Sequence, residues 1–362
     1  MKNSYLKSIT GCLLGTAVGD ALGLPYKKLS RNRIYQAHTP IKGHAFIFNK
    51  GMISDDTEHL CLTAQALIVS AGDPQKFSQK LAWGLRWWVL GLPVGISLAT
   101  LKACMRLLIG FSAQDSGVNS AGNGAAMRST IIGVCYGDNP STMLALVKAS
   151  TIITHRNPKA ELGAIAVAVA AYLASIQSTV TPQDYYQTLK KFLSDSAAKL
   201  PQIETTAFLT AIDCACTSTA KNESGVNFAN QLGNYQGVSG YIYDTVCITI
   251  QVWLRNQNSY SQSIKEIIYL GGDTDTTAAI LGGIVGASVG VSGIPQKWLK
   301  DMIEFPHSTN WIASLAERLA ESCNVSSSRS PLPFAFYFIP LRNFVFGIAF
   351  LFHAFYRLLP PY

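Results

Sequence analysis

Charge is what this sequence has least of: Asp, Glu, Lys and Arg make up 14% of its 362 residues, against 48% hydrophobic ones. A chain this apolar and this long buries a large core, which excludes intrinsic disorder and allows one or two domains. Strand signals are scarce too, which argues against a sheet-based fold. The eight cysteines supply no disulfide framework and no zinc pattern. Cys12, Cys61, Cys104, Cys135 and Cys247 sit inside apolar stretches, and the close pair Cys214 and Cys216 lacks a second pair. That usage fits small buried hydrophobes in a reducing cytosol. An export signal is also missing. Ile9-Thr10-Gly11-Cys12 mimics a lipoprotein cleavage site, but the segment ahead of it is too short and too polar, so a cytoplasmic location is expected. The formal charge of +8 is scattered, with no motif for nucleic acid, and indicates only a preference for anionic partners such as a phosphate-bearing ligand.

What is present is helix. Ala-, Leu- and Ile-rich stretches at 57–71, 74–90, 94–110, 142–154, 160–176, 183–199, 202–219, 241–256 and 278–290 alternate with short polar or Gly/Pro joints, predicting a mostly helical chain. Gly11, Gly15, Gly19 and Gly23 recur at four-residue spacing, and Gly282, Gly286 and Gly290 repeat the device. Such stripes let another backbone approach closely. A membrane-helix reading of 278–294 is disfavoured because the stretch is short and follows an acidic loop.

Two acidic clusters carry the chemistry: Ser54-Asp55-Asp56-Thr57-Glu58 and Gly271-Gly272-Asp273-Thr274-Asp275-Thr276. Brought together, their oxygens make a cage for one or two hard divalent cations, Mg²⁺ or Mn²⁺ rather than zinc, since neither holds a Cys and only His59 is near. The first also reads as an ordinary helix start, with a cap residue and acidic side chains favoured by the dipole; the second is set apart by two glycines, which allow an unusual backbone path on which Asp273 and Asp275 can converge. Three further segments stand out. Ser120-Ala121-Gly122-Asn123-Gly124-Ala125-Ala126-Met127-Arg128 is a small-residue loop able to offer N–H groups to phosphate or sugar, or a plain turn. His155 after Thr154 reads as a ligand contact or a helix C-terminal cap. Tyr241 reads as a stacking platform or a loop anchor.

In order and content, Gly19-Asp20-Ala21-Leu22-Gly23, Ser54-Asp55-Asp56-Thr57, Gly122-Asn123-Gly124 with Met127-Arg128, Thr154-His155 and Gly271-Gly272-Asp273-Thr274-Asp275-Thr276 resemble the ADP-ribosylglycohydrolase family over residues 5–305. The resemblance implies a compact, all-α, orthogonal multi-helix domain with a binuclear Mg²⁺ or Mn²⁺ centre formed at helix N-termini. Ser54, Asp55 and Asp56 would ligate one ion, Asp273 and Thr276 the other, and Asp275 would bridge. Gly122, Asn123, Gly124, Met127 and His155 would lie along ADP-ribose, with Tyr241 at the adenine end. The implied reaction is removal of ADP-ribose from a protein side chain or small conjugate, with Asp55 or Asp56 activating water. Two positions depart from the pattern. Lys27 stands where many relatives carry a glutamate, and Ser120 where some carry an aspartate. A non-catalytic ADP-ribose-binding homologue is therefore the rival reading, and a two-metal phosphohydrolase releasing AMP a third.

The expected catalytic domain covers 1–325. Residues 326–362 form a linker and an aromatic tail in which the apolar run Phe344 to Phe355 is short of a membrane span. Residues 331–359 are expected to lie in a membrane interface, with Arg342 and Arg357 at headgroups, or to meet a hydrophobic partner or the catalytic body.

Overall fold

The computed structural model describes residues 2–38, 40–196, 200–325 and 327–356. Among these the chain is all helix and loop, with isolated bridges and no strand. The expected helices are present, that at 183–199 as Pro182–Ser196 with 197–199 outside the described residues, and their starts follow local capping chemistry. Pro140–Ile152 and Pro158–Ile176 begin two residues earlier than the apolar pattern, because Asn139 and Asn157 cap them from just before a proline. The stretch expected at 94–110 narrows to Leu98–Leu108, capped by Ser97, since Pro93 and Gly95 belong to the loop before it.

The centre of the molecule is a pair of antiparallel glycine helices, Lys2–Gly23 and Thr274–Val289. A Cβ at Gly11 would meet Gly286 O at 2.1 Å, one at Gly15 would meet Gly282 O at 2.2 Å, and one at Gly19 would meet Ala278 O at 2.1 Å. Contact this close is possible only without side chains. It accounts for the stripe and sets a register in which the C-terminal end of the first helix, with Asp20 and Gly23, lies beside the start of the second. The Thr274 hydroxyl donates to Gly23 O at 2.8 Å, fixing that end. The remaining helices wrap this pair around one large apolar core.

The tail forms its own helix, Ile339–Tyr356. With 336–338 leading into it, the apolar stretch reaches 20 residues and is long enough to cross a membrane, as is Pro158–Ile176 by the same measure; the latter is 72% buried, the tail 28%. The tail therefore exceeds the short run expected from sequence. Arg342 is not a headgroup contact: it is buried, with Asn343, Phe346 and Ala349 on the same inner face, while Phe344, Val345, Ile348, Leu351, Phe352 and Phe355 face outward. Arg357 lies outside the described residues.

Candidate active site

Ser54 caps Asp55–Ser70, its hydroxyl accepting from the Asp56 N–H, which places Asp55 and Asp56 in the first turn. Asp273 occupies the cap position of Thr274–Val289, placing Asp275 and Thr276 in that first turn. Reaching this geometry requires two left-handed residues, Gly271 at φ +73° and Gly272 at φ +82°, and a Cβ at Gly272 would lie 2.1 Å from Val238 O. The two clusters meet: the Thr276 hydroxyl donates to Asp56 Oδ2 at 3.1 Å, and the Ser54 hydroxyl donates to the same oxygen at 3.1 Å. Asp20 braces the junction from below, accepting from Ser54 N–H at 2.9 Å, Thr57 N–H at 3.2 Å and the Thr57 hydroxyl at 2.5 Å.

A cleft of about 900 Å³ opens over this floor, lined in part by Ser54, Asp55, Asp273, Thr276, Asn123, Met127 and His155. Asp55 reaches the cleft, whereas Asp56 and Asp275 lie beneath its surface, 1% and 0% exposed. The Asn123 amide donates to Asp273 Oδ2 at 2.6 Å and to the Thr245 hydroxyl at 3.0 Å. His155 sits under the glycine loop: a Cβ at Gly122 would meet its Nε2 at 3.2 Å and one at Gly124 its Cε1 at 2.8 Å. Burial, aided by the Arg128 guanidinium, pushes His155 down to about 3, so it is a neutral ring lining the cleft. Arg128 is itself buried and tethers Ser150 and the Thr154 hydroxyl. His59 faces Arg128 and the edge of Trp88 rather than the cleft. Tyr241, expected at the adenine end, does not line the cleft. Its backbone pairs with Gly122, while its ring stands beside Tyr243 with the Lys159 ammonium over it.

The floor is electrostatically crowded. Burial pushes Asp55 up to about 7, opposed by Lys27 and reinforced by Asp275, and burial with Asp275 and Asp55 carries Asp56 well above the usual carboxylate range. Burial and Asp275 also raise Asp273. Lys27 does not point away: its Nζ lies 2.6 Å from Asp275 Oδ2. Burial disfavours that ammonium, but Asp275, Asp55, Asp273 and Asp56 outweigh it and hold Lys27 charged. Among the described residues no three His, Cys, Asp or Glu side chains stand together as a ready-made metal site. What converges is a mixed set of carboxylates and hydroxyls, in which Asp20 Oδ1, Asp56 Oδ1 and Asp275 Oδ1 are buried without a hydrogen-bond partner. Buried oxygens of this kind fit a hard cation.

Three contributors escaped the sequence reading. Asp20 was visible as a lone carboxylate within an apolar glycine helix, although its role was not. The Glu58–Arg342–Glu304 network behind the Ser54 cap joins residues with no sequence signal between them. Phe346, Phe350 and Ala354 of the tail line the cleft, which no local pattern foretells.

The architecture defines the class: a helical hydrolase with an acidic floor built from two helix N-termini. The chain belongs to the ADP-ribosylglycohydrolase family, whose model matches residues 1–329. It is similar to the ADP-ribosyl-(dinitrogen reductase) glycohydrolase of Rhodospirillum rubrum, 24% identical over 299 residues covering 81% of this chain and 89% of that one. It is also similar to ADP-ribosylhydrolase ARH3 of Homo sapiens, 24% identical over 335 residues covering 81% and 88%, and to an uncharacterized protein of Archaeoglobus fulgidus, 28% identical over 317 residues covering 86% and 95%. A solved structure described as an ADP-ribosylglycohydrolase-related protein complex shares the fold, with a TM-score of 0.64 over 89% of this chain and 99% of that one at 22% identity.

Proposed function

We propose that the protein removes ADP-ribose from a modified protein side chain or a small ADP-ribosyl conjugate, in a divalent-metal-dependent reaction at this cleft. The observation that carries the reading is the Thr276–Asp56 contact, which joins two oxygen-rich helix starts 220 positions apart. Ser54, Asp55, Asp56, Asp273, Asp275 and Thr276 would hold Mg²⁺ or Mn²⁺. Such a dication supplies positive charge that orients ribose hydroxyls and acidifies a nearby water. The chain's own residues do the rest. Gly122, Asn123, Gly124 and His155 line the path of a ligand across the cleft. Asp55, the aspartate of the pair with access to it, takes one proton of the attacking water as the water oxygen bonds to the anomeric carbon; the C–N or C–O bond to the acceptor breaks with its electron pair going to the acceptor, which receives the proton that Asp55 removed.

Incubation with ADP-ribosyl-arginine, ADP-ribosyl-serine and O-acetyl-ADP-ribose, with and without Mg²⁺ or Mn²⁺, tests this reading. Free ADP-ribose produced only with metal is the expected result. Binding without turnover would favour the non-catalytic rival, and AMP release the phosphohydrolase.

The tail's outward face, six large apolar side chains without a covering element among the described residues, supports peripheral association with a membrane interface. Vesicle flotation of the full chain against a Phe344→Ser/Phe352→Ser/Phe355→Ser variant tests it. Equal flotation, or none by either, would overturn it.

A further inference from the structure

Lys27 lies inside the acidic floor and lines the cleft together with Ser54, Asp55, Asp273 and Thr276. Its position is built rather than incidental. The preceding turn, Leu24–Tyr26, is buried. On the other side the Lys28 N–H donates to Gly272 O at 2.7 Å and the Gly272 N–H donates back to Leu29 O at 2.9 Å. The backbone around Lys27 is thus tied to the loop that carries Asp273. From there its ammonium reaches Asp275 Oδ2 at 2.6 Å, with the lysine side chain 17% exposed and the aspartate wholly buried.

Asp275 has two oxygens, and their fates differ. Oδ2 is committed to the ammonium, while Oδ1 is buried without a hydrogen-bond partner, as is Asp56 Oδ1. The ammonium seated on Oδ2 occupies the side from which a second cation would approach, and leaves the unpartnered Oδ1 as the oxygen open to an ion. A second dication on Oδ2 would have to share that oxygen with the ammonium in a site sheltered from water, where like charges repel strongly.

We propose that Lys27 is a resident cation of the centre, standing in for one metal ion, so that the site takes up a single dication per chain. This inference rests on the metal reading of the previous section. Deprotonation of water then falls to Asp55, since an ammonium cannot accept a proton.

Counting ions tests it without reference to turnover. The full-length protein, stripped with chelator and equilibrated with Mn²⁺, is assayed by equilibrium dialysis and by low-temperature electron paramagnetic resonance. The native sequence and Lys27→Arg are expected to bind one Mn²⁺ with an uncoupled spectrum. Lys27→Met is expected to bind two, with the spectrum of an exchange-coupled pair. Two ions in the native protein would overturn the proposal, as would one in Lys27→Met, and the native count decides alone if that variant fails to fold. No Mn²⁺ in any of the proteins would instead overturn the metal reading itself.

Discussion

Arg342 grips Glu304 through both carboxylate oxygens, Nε to Oε1 and Nη2 to Oε2, each at 2.8 Å. The same guanidinium donates to Ile53 O at 2.6 Å and to Glu58 Oε1 at 3.2 Å. Ile53 directly precedes Ser54 and Glu58 lies one turn beyond it, so the tail clamps the segment that starts the acidic helix. Removing one member of a buried, hydrogen-bonded ion pair costs about 3–5 kcal/mol, because the partners keep their charge without its compensation. Arg342→Met is therefore expected to lower the urea-unfolding free energy by about that amount. Arg342→Met/Glu304→Gln should recover part of it. A loss under about 1 kcal/mol in the single variant would show that the clamp is ornamental.

The glycine helices make an independent prediction. A methyl group at Gly15 would have to occupy space 2.2 Å from Gly282 O, which is backbone and cannot rotate aside. Gly15→Ala is expected to cost about 3 kcal/mol or more, at the upper end of overpacking, despite alanine's better helix propensity. Asp20 rides on the same helix, so Mn²⁺ binding should weaken with stability. Denaturant titration in the presence and absence of Mn²⁺ checks both.

Asp55 and Asp56 separate by access. Asp55→Asn should lower kcat by about 10²–10⁴-fold at saturating metal, the usual contribution of a general base. Release of ADP-ribose under saturating substrate measures it. An unchanged kcat would assign the proton elsewhere.

His307 supplies a pH signature away from the cleft. Burial, reinforced by Arg342, pushes its imidazole down to about 3. The folded state then holds fewer protons than the unfolded chain between that value and about 6.5, the ordinary histidine value. Its contribution is fully present above about 6.5 and is lost as pH falls below it, on the order of 2 kcal/mol by about pH 5. His307→Gln should flatten the stability profile across that window, read from thermal unfolding at successive pH values. An identical slope in both proteins would exclude this residue as the cause.

Much of this was legible in the sequence because it is local. The acidic residues of each cluster, the Ser54 cap and the Gly271-Gly272 pair announce themselves within a few positions, and the glycine stripes announce the helix pair. Arg342 was misread for the opposite reason. An arginine within an aromatic run looks like a surface anchor until Glu58 and Glu304, distant in the chain, arrive beneath it. Lys27 shows the same limit: its residue type departed from the family pattern, but its direction depended on Lys28 and Leu29 being tied to Gly272. Gly225–Gln231, short and modest in apolar content, gives no periodic signal long enough to find, whereas Tyr260–Tyr269 does carry helical spacing, with Tyr260, Ile264, Ile267 and Ile268 buried.

The pairing of the two glycine helices also has a consequence for biosynthesis. Asp20 and Ser54 leave the ribosome early, yet the carboxylates that complete the floor come from Asp273 and Asp275, and the clamp behind it from Arg342. No nascent chain halted before those positions contains the cluster, so the centre is assembled only when translation is nearly finished. A premature stop upstream leaves a product with an uncovered glycine groove and only half of the acidic floor.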